Sequence, residues 1–440
     1  MALLKNVVIA LLVLRAYAAE STTTDDGVVV LTGTKSTSEP ATPTGTYQSY
    51  ASTASSSSLS SMADNATVTS SSTTETVTFL TGSKTSSSTL SGNFSITSSS
   101  TSTEPAPTNT QPCNGWPEFC SRKYSNVTLV GCHNSPFVRA GSTAANQDLD
   151  VTTQLNDGVR FLQGQIQWPT NGTEPHFCHT SCDILDAGPI TEWLGKVKDW
   201  VSTHPYDVVT ILLGNGNYSD ASMYAPFIES TGIQKYAFVP DSAAPWTRDQ
   251  WPTYSELILK GVRTVMFIDY NYNATAAPYL LDEFGYFWES PFDPEDNSFP
   301  CTVQRPPRLM GDENVEAARN SMYIMNHNLN VEVSLLGASL LVPAITVLNT
   351  TNNVSGVGSA GLAANNCRSD WGTPPSVILV DYYEYGGYQG SIFEVAAIQN
   401  NVTYDRSKCC GKVSSGAQRT LLALSSWGFG VIAVGFYLLV

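Results

Sequence analysis

The chain of 440 residues carries 22 Lys and Arg against 38 Asp and Glu, a formal charge of −16 at pH 7. That balance leaves no basic patch to neutralise phosphates and argues against a nucleic acid as partner. With five histidines in all, any cluster of them carries weight.

Residues 1–18 read as an export signal: Lys5, an apolar core over 7–14, and Ala16-Tyr17-Ala18 before Ala19. The core is too short to span a bilayer. Over 19–112 the composition collapses to Ser and Thr with scattered Gly and Pro. Such a stretch buries too little surface to offset its ordering entropy. In an exported chain it reads as an O-glycosylated stalk, with an unmodified linker as the alternative. Asn-X-Ser/Thr acceptors at Asn65, Asn93, Asn126, Asn171, Asn217, Asn273, Asn349, Asn353 and Asn401 agree with export.

From Cys113 the composition changes to Trp, Tyr, Phe and Cys, and 113–408 is long enough for one large core. All nine cysteines lie here, which in an exported protein favours disulfides over a metal cage. Cys113 with Cys120 and Cys178 with Cys182 stand close enough to close small loops. Cys301 and Cys367 are left to bridge longer insertions. The adjacent Cys409 and Cys410 are expected to bond elsewhere rather than to each other, and Cys132, ending a buried strand, to be the odd thiol.

Apolar, often β-branched runs at 128–132, 159–167, 208–213, 264–268, 322–325 and 377–380 read as buried strands. Between them lie helical stretches, the clearest placing Ile190, Trp193, Leu194, Val197, Trp200 and Val201 on one face. Strand and helix in alternation over this length predict a TIM-like (β/α) barrel. An open doubly wound sheet is the alternative, but no Gly-rich nucleotide loop follows any strand. In a barrel the chemistry sits at the carboxyl ends of the strands, where His133, Gln163, Gln165, Asp269, His327 and Asp381 fall. Finally, 421–440 is an uncharged, mostly apolar tail preceded by small residues, so that 409–440 reads as a glycolipid-anchor signal. A conventional membrane helix is the alternative, disfavoured by the missing basic flank.

Three of the five histidines lie within 133–179. Two histidines after neighbouring strands can act as general base and general acid, moving a proton off an attacking hydroxyl and onto a leaving oxygen. Gly131-Cys132-His133-Asn134-Ser135, the strand Gly158-Val159-Arg160-Phe161-Leu162 and Cys178-His179-Thr180 resemble the X-region of the phosphatidylinositol-specific phospholipase C superfamily. More closely, Asn146-Gln147, Thr153-Gln154-Leu155, Leu162-Gln163, Cys178 through Cys182, Leu185-Asp186-Ala187-Gly188, Asp282-Glu283-Phe284, Asn326-His327-Asn328-Leu329 and Val380-Asp381-Tyr382-Tyr383 resemble the fungal secreted phospholipase-C-like phosphodiesterases. The resemblance runs from Cys113 to about Tyr404.

It implies a TIM-like barrel in which an inositol hydroxyl attacks the lipid phosphodiester within the same molecule, releasing diacylglycerol. On that mapping His133 is the base, His179 the acid and Asp381 the carboxylate that orients His133. His176 and His327 are the next candidates for the acid. Asn134 falls where calcium-dependent relatives place a metal ligand and metal-free relatives an aspartate. It also reads as a plain turn residue. Gln163 and Gln165 fall where calcium-dependent relatives carry acidic ligands and, at the second position, metal-free relatives an arginine. Neither charge is present, so no catalytic metal and no cofactor are expected. Arg139 or Arg160 is left to stabilise phosphoryl charge, with Asn134, Gln163, Gln165, Asp269 and His327 as candidate substrate contacts. Two function classes follow: a phosphoric diester hydrolase acting on inositol-type lipids or glycolipid anchors at the cell surface, or a non-catalytic, lipid-anchored surface protein using the barrel as scaffold.

Overall fold

A β-strand turns successive side chains to opposite faces, and this alternation sorts the whole domain. A computed structural model describes residues 111–411, except 139–141, 243 and 336–337, with backbone alone at 334, 335 and 338–340. The proposed export signal, nearly all of the stalk, and the C-terminal tail lie outside the described residues.

Eight parallel strands form the barrel: β1 (Leu129–Cys132), β2 (Phe161–Gln167), β5 (Val209–Asn215), β6 (Thr264–Ile268), β7 (Leu280–Asp282), β8 (Phe287–Glu289), β9 (Met322–Asn326) and β12 (Val377–Val380). They neighbour one another in the order β7-β6-β5-β2-β1-β12-β9-β8, which is chain order around a ring. β7 and β8 form the two ends of that path. The hairpin β3 (His176–His179) and β4 (Leu185–Pro189) extends the far end of β2 antiparallel. A second hairpin, β10 (Asn330–Leu335) with β11 (Ala338–Pro343), makes a separate two-stranded sheet.

One set of strand positions meets inside the ring: Leu129, Phe161, Leu212, Val265, Phe267, Leu281, Phe287, Met322, Ile324, Val377 and Leu379 form a single buried cluster. The alternate set, including Val130, Leu162, Ile211, Met266, Tyr323 and Ile378, packs outward with the helices. Gly131 belongs to the inner set. A Cβ there would come within 2.9 Å of Val377 Cγ1, 3.0 Å of Leu379 Cδ1 and 3.1 Å of Phe161 Cδ1. Only glycine lets β1 approach its neighbours so closely.

The helix Ile190–Thr203 buries the six residues that its spacing places together. The helix Val151–Asp157 begins where Asp150 Oδ1 accepts from Thr153 N and ends at Gly158, whose φ of +112° suits glycine. No helix among the described residues is long and apolar enough to cross a membrane.

Cys113–Cys120, Cys178–Cys182 and Cys301–Cys367 are disulfides, and Cys132 is the buried free thiol. The expectation for Cys409 and Cys410 fails: they pair with each other. The other six cysteines already have partners, and Cys132 is wholly buried in β1, which leaves these two only each other.

Candidate active site

Continuing the inward positions of each strand to the carboxyl rim yields one ring of polar side chains. β1 leads to His133, β2 to Gln163 and Gln165, and β6 to Asp269. β7 leads to Glu283, β8 to Glu289, β9 to Asn326 and β12 to Asp381. The apolar plug below them excludes water, so charges at this level interact more strongly than in solvent.

His133 Nδ1 donates to Asp381 Oδ1 at 2.8 Å. This leaves Nε2 as the nitrogen free for chemistry. β1 and β12 are direct neighbours, with Cys132 in register with Val380, so the next residue of each strand arrives side by side. Asn146 Nδ2 donates to Asp381 Oδ1 at 2.9 Å, and Gln147 Nε2 donates to both His133 O (2.8 Å) and Val380 O (3.1 Å). The loop carrying these two amides thus fixes the His–Asp pair from behind. Their positioning role is invisible in the spacing of the sequence.

His179 ends β3, where Cys178–Cys182 pins the hairpin turn. Its Nδ1 donates to Ala144 O at 2.6 Å and its ring stacks on Phe137 at 5.1 Å. Here too Nε2 is left free. Burial lowers the His179 pKa, and the nearby His133 lowers it further. Burial acts on His133 in the same direction, but the charge and hydrogen bond of Asp381 outweigh it and hold His133 above its ordinary value.

Each of these three residues is followed by one in the left-handed region: Asn134 (φ 49°), Thr180 (φ 60°) and Tyr382 (φ 46°). Such conformations cost energy for residues with a Cβ and concentrate at functional sites. Asn134 tolerates this best, and its N–H donates to Gln163 Oε1 at 2.7 Å. The structure therefore gives Asn134 its turn role and gives Gln163 the task of holding that turn. Gln165 Oε1 accepts from Gln167 Nε2 at 3.0 Å.

Other candidates sit elsewhere. Arg160 points to the amino end of the barrel, donating to Asp207 Oδ1 (3.0 and 2.8 Å), Leu155 O and Val159 O beside the Trp200 ring. It cannot reach the rim, because it has the opposite parity from Phe161 and Gln163. Arg139 lies outside the described residues. His327 is wholly buried and donates from Nε2 to Thr351 O at 2.9 Å, so it braces a loop rather than facing substrate. Burial depresses its pKa to about 4, which keeps it neutral. His176 pairs with Asp186 across its own hairpin at 2.9 Å.

The cation that the sequence reading missed is Arg305. It is buried at the rim, 3.4 Å from Glu289 Oε1 and 3.8 Å from Asp269 Oδ2, and lies over the rings of Phe292 (4.3 Å) and Phe284 (5.0 Å). Asp269, whose Oδ1 accepts from Asn215 N at 2.7 Å, is pushed up to about 6 by burial despite Arg305. Asp269 is thus committed to the rim network. Arg305 left no signal in the sequence because it belongs to the irregular segment between β8 and β9.

Calcium takes hard oxygen ligands, normally several carboxylates. Gln163 and Gln165 offer neutral carbonyls, and the first is occupied by Asn134. A chelator is therefore expected to leave any diesterase activity unchanged, and calorimetry to detect no tight calcium binding. Gln163→Glu with Gln165→Asp should create such binding. Loss of activity on chelation of the unaltered protein would overturn this reading of β2.

A ring of parallel strands left unpaired only between β7 and β8, with histidines and a carboxylate at its carboxyl mouth, defines a barrel of the phosphodiesterase type. The sequence model of the PI-PLC X family (PI-PLC X 1) matches residues 119–394, and the chain belongs to that family. An "Uncharacterized secreted protein" of Arthroderma benhamiae is 51% identical over 321 residues, 73% of this chain and 71% of that one. A "PI-PLC X domain-containing protein 1" of the same organism is 40% identical over 276 residues, 62% of this chain and 86% of that one. Among solved structures, phosphatidylinositol-specific phospholipase C from Staphylococcus aureus matches 62% of this chain and 93% of its own at 14% identity, with a TM-score of 0.41. The enzyme from Listeria monocytogenes matches 64% and 96% at 13% identity, also with a TM-score of 0.41.

Proposed function

We propose that the domain is a phosphoric diester hydrolase acting outside the cell on inositol-type phospholipids or glycolipid anchors. The observation that carries this reading is the His133–Asp381 pair at 2.8 Å, set at the same mouth as His179. His133 Nε2 takes the proton of an inositol hydroxyl as that oxygen attacks phosphorus. His179, protonated at Nε2, gives its proton to the departing glycerol oxygen. The products are a cyclic phosphodiester and diacylglycerol, and the two histidines have exchanged protonation states. Asp381 stabilises the imidazolium formed on His133.

A second reading, a non-catalytic scaffold, draws support from the neutral Gln163 and Gln165 and from the burial of the rim, where His133 is 5% and Asp381 2% exposed. Turnover by the full chain against a panel of phosphatidylinositol, glycosylated inositol lipid and simple diesters separates the two. No hydrolysis of any of them would leave only the scaffold.

Extracellular display rests on the leader-like 1–18, the Ser/Thr-rich 19–112 and the secreted relative. Attachment by a glycolipid at 409–440 rests on the apolar tail. Ending the chain at Ser415 is expected to release the protein into the medium. A truncated form that stays on the membrane sinks the anchor.

A further inference from the structure

From the placement of the acceptor asparagines we infer that the mouth of the barrel carries a collar of N-linked sugar that selects diesters by presentation. Those dispersed in water enter, and those packed in a bilayer are held off. The inference rests on export and on the reading of the mouth as a diester site, and it narrows that site's substrates to dispersed inositol diesters.

Within 113–408, the acceptor Asn126 precedes β1 and Asn401 follows the helix Ser391–Gln399, where Asn400 Nδ2 donates to Thr128 O, so both lie at the amino end of the barrel. Asn171 follows β2, Asn217 follows β5 and Asn273 follows β6, while Asn349 and Asn353 lie between β11 and β12. In a parallel barrel the segment after a strand stands at the carboxyl mouth.

β6, β5 and β2 are consecutive neighbours, so their three loops stand side by side, and hydrogen bonds join them. Asn217 Oδ1 accepts from Trp168 N at 2.7 Å, tying its loop to the one that bears Asn171. Asn271 Nδ2 donates to Tyr218 O at 2.6 Å and Asn273 Nδ2 to Asp220 Oδ1 at 3.0 Å, tying it to the third. The same loops hold the site. Asn215 N donates to Asp269 Oδ1, and Gln167 Nε2 donates to Gln165 Oε1 and to Thr180 O beside His179. On the other flank, Asn349 lies in the short helix Leu348–Thr351. His327 holds Thr351 O, and the following Asn352 Nδ2 donates to Asp381 O at 2.9 Å.

Asn171, Asn217 and Asn349 are exposed and Asn273 is half-buried. In the modification Nδ2 bonds to the anomeric carbon of a sugar delivered on a lipid-linked pyrophosphate. The bond from that carbon to the pyrophosphate oxygen breaks, and one amide hydrogen leaves as a proton. Oδ1 and one N–H survive, so the bonds of Asn217 to Trp168 and of Asn273 to Asp220 can both persist. Asn353 is different. It faces Gly387 so closely that a Cβ added there would lie 2.3 Å from its Oδ1 and 2.9 Å from its Nδ2, and a sugar on Nδ2 would meet the backbone of that loop. N-linked sugar is bulky and hydrated. Its hydroxyls lose hydrogen bonds on leaving water, so four such groups on two flanks of the mouth keep it from resting on a bilayer.

The test uses the full chain produced by a eukaryotic host. Mass spectrometry of its peptides should find sugar at Asn171, Asn217, Asn273 and Asn349 and none at Asn353. Bare Asn217 and Asn273 would overturn the inference. An endoglycosidase that trims each group to one sugar should then raise hydrolysis of phosphatidylinositol in vesicles several-fold and leave that of a water-soluble phosphoinositol diester unchanged. Thr173→Ala with Thr275→Ala, which removes two acceptor hydroxyls and keeps both asparagines in place, should move the vesicle rate in the same direction. An equal response of the two substrates to trimming would overturn the collar and retain the diesterase. If neither substrate is hydrolysed, the proposed chemistry fails, and the collar is read instead with a photoactivatable lipid in the vesicles. That lipid should mark the loops at 168–175 and 216–220 only after trimming. Marking that trimming does not change overturns the collar.

Discussion

Replacing His133 or His179 by alanine is expected to lower turnover of a phosphoinositol diester by roughly a hundredfold or more, the usual loss when general acid or base assistance disappears. The two variants should part company on a diester with a p-nitrophenolate leaving group, which needs no protonation. His179→Ala should recover much of its rate there, and His133→Ala should not. The opposite pattern would exchange the two roles, a result the resting charges make worth measuring. Asp381 favours the proton on His133, while burial disfavours it on His179, so the form with a neutral base and a protonated acid is a minority at every pH. The rate profile should be bell-shaped, its acid limb set by the lowered His179 and its alkaline limb by the raised His133. Asp381→Asn removes what raises His133, so the alkaline limb should move to lower pH. An unmoved limb would show that Asp381 does not act through His133.

The largest effect on stability is expected at Arg305. Arg305→Met removes the partner of buried Glu289 and Asp269 and keeps most of the apolar stem. Breaking one side of a buried ionic cluster typically costs about 3–5 kcal/mol, a fall in Tm on the order of 10 °C for a domain of this size. The sign of its pH dependence follows from the carboxyls. Arg305 lowers Asp269, which even so sits near 6; without the guanidinium it should sit higher. A carboxyl whose folded pKa exceeds its unfolded value favours folding at low pH and ceases to do so as pH rises through the folded value. The deficit of the variant should therefore narrow as the pH falls toward about 6, where Asp269 of the unaltered protein takes up its proton as well. A difference below about 1 kcal/mol at neutral pH would mean the cluster is not held by charge.

The long strands and the helix Ile190–Thr203 were legible because their apolar residues recur at a period set by burial on one or both faces. β7 and β8 were not, since three residues each, joined by a single helical turn, show no period. The hairpin β10–β11 was missed for the opposite reason: its continuous aliphatic run hides the alternation that register reveals. His133, His179 and Asp381 stood out through their motifs and their places after strands. The positioning role of Asn146 did not, because it is a contact with Asp381 across 235 residues of sequence, nor did Arg305, which sits in an irregular segment with no period to place it at the rim. Arg160 shows parity used correctly: the residue between two inward positions faces away from the site.

The ring has one break in its backbone pairing, between β7 and β8. Glu283 follows the first strand of that seam and Glu289 ends the second. Burial, and then the charge of Glu289, raise Glu283 well above the ordinary carboxylate range, which favours its protonated form beside that gap. Every other junction of the barrel is latched by amide hydrogen bonds, which acidity does not touch. This one has no strand pairing, and the carboxyl of Glu283, which holds its proton more tightly than usual, stands beside it. By the same linkage its contribution is complete in acid and is lost as alkalinity strips that hydrogen away, which makes the seam the staves' weak point and alkali the agent that springs it.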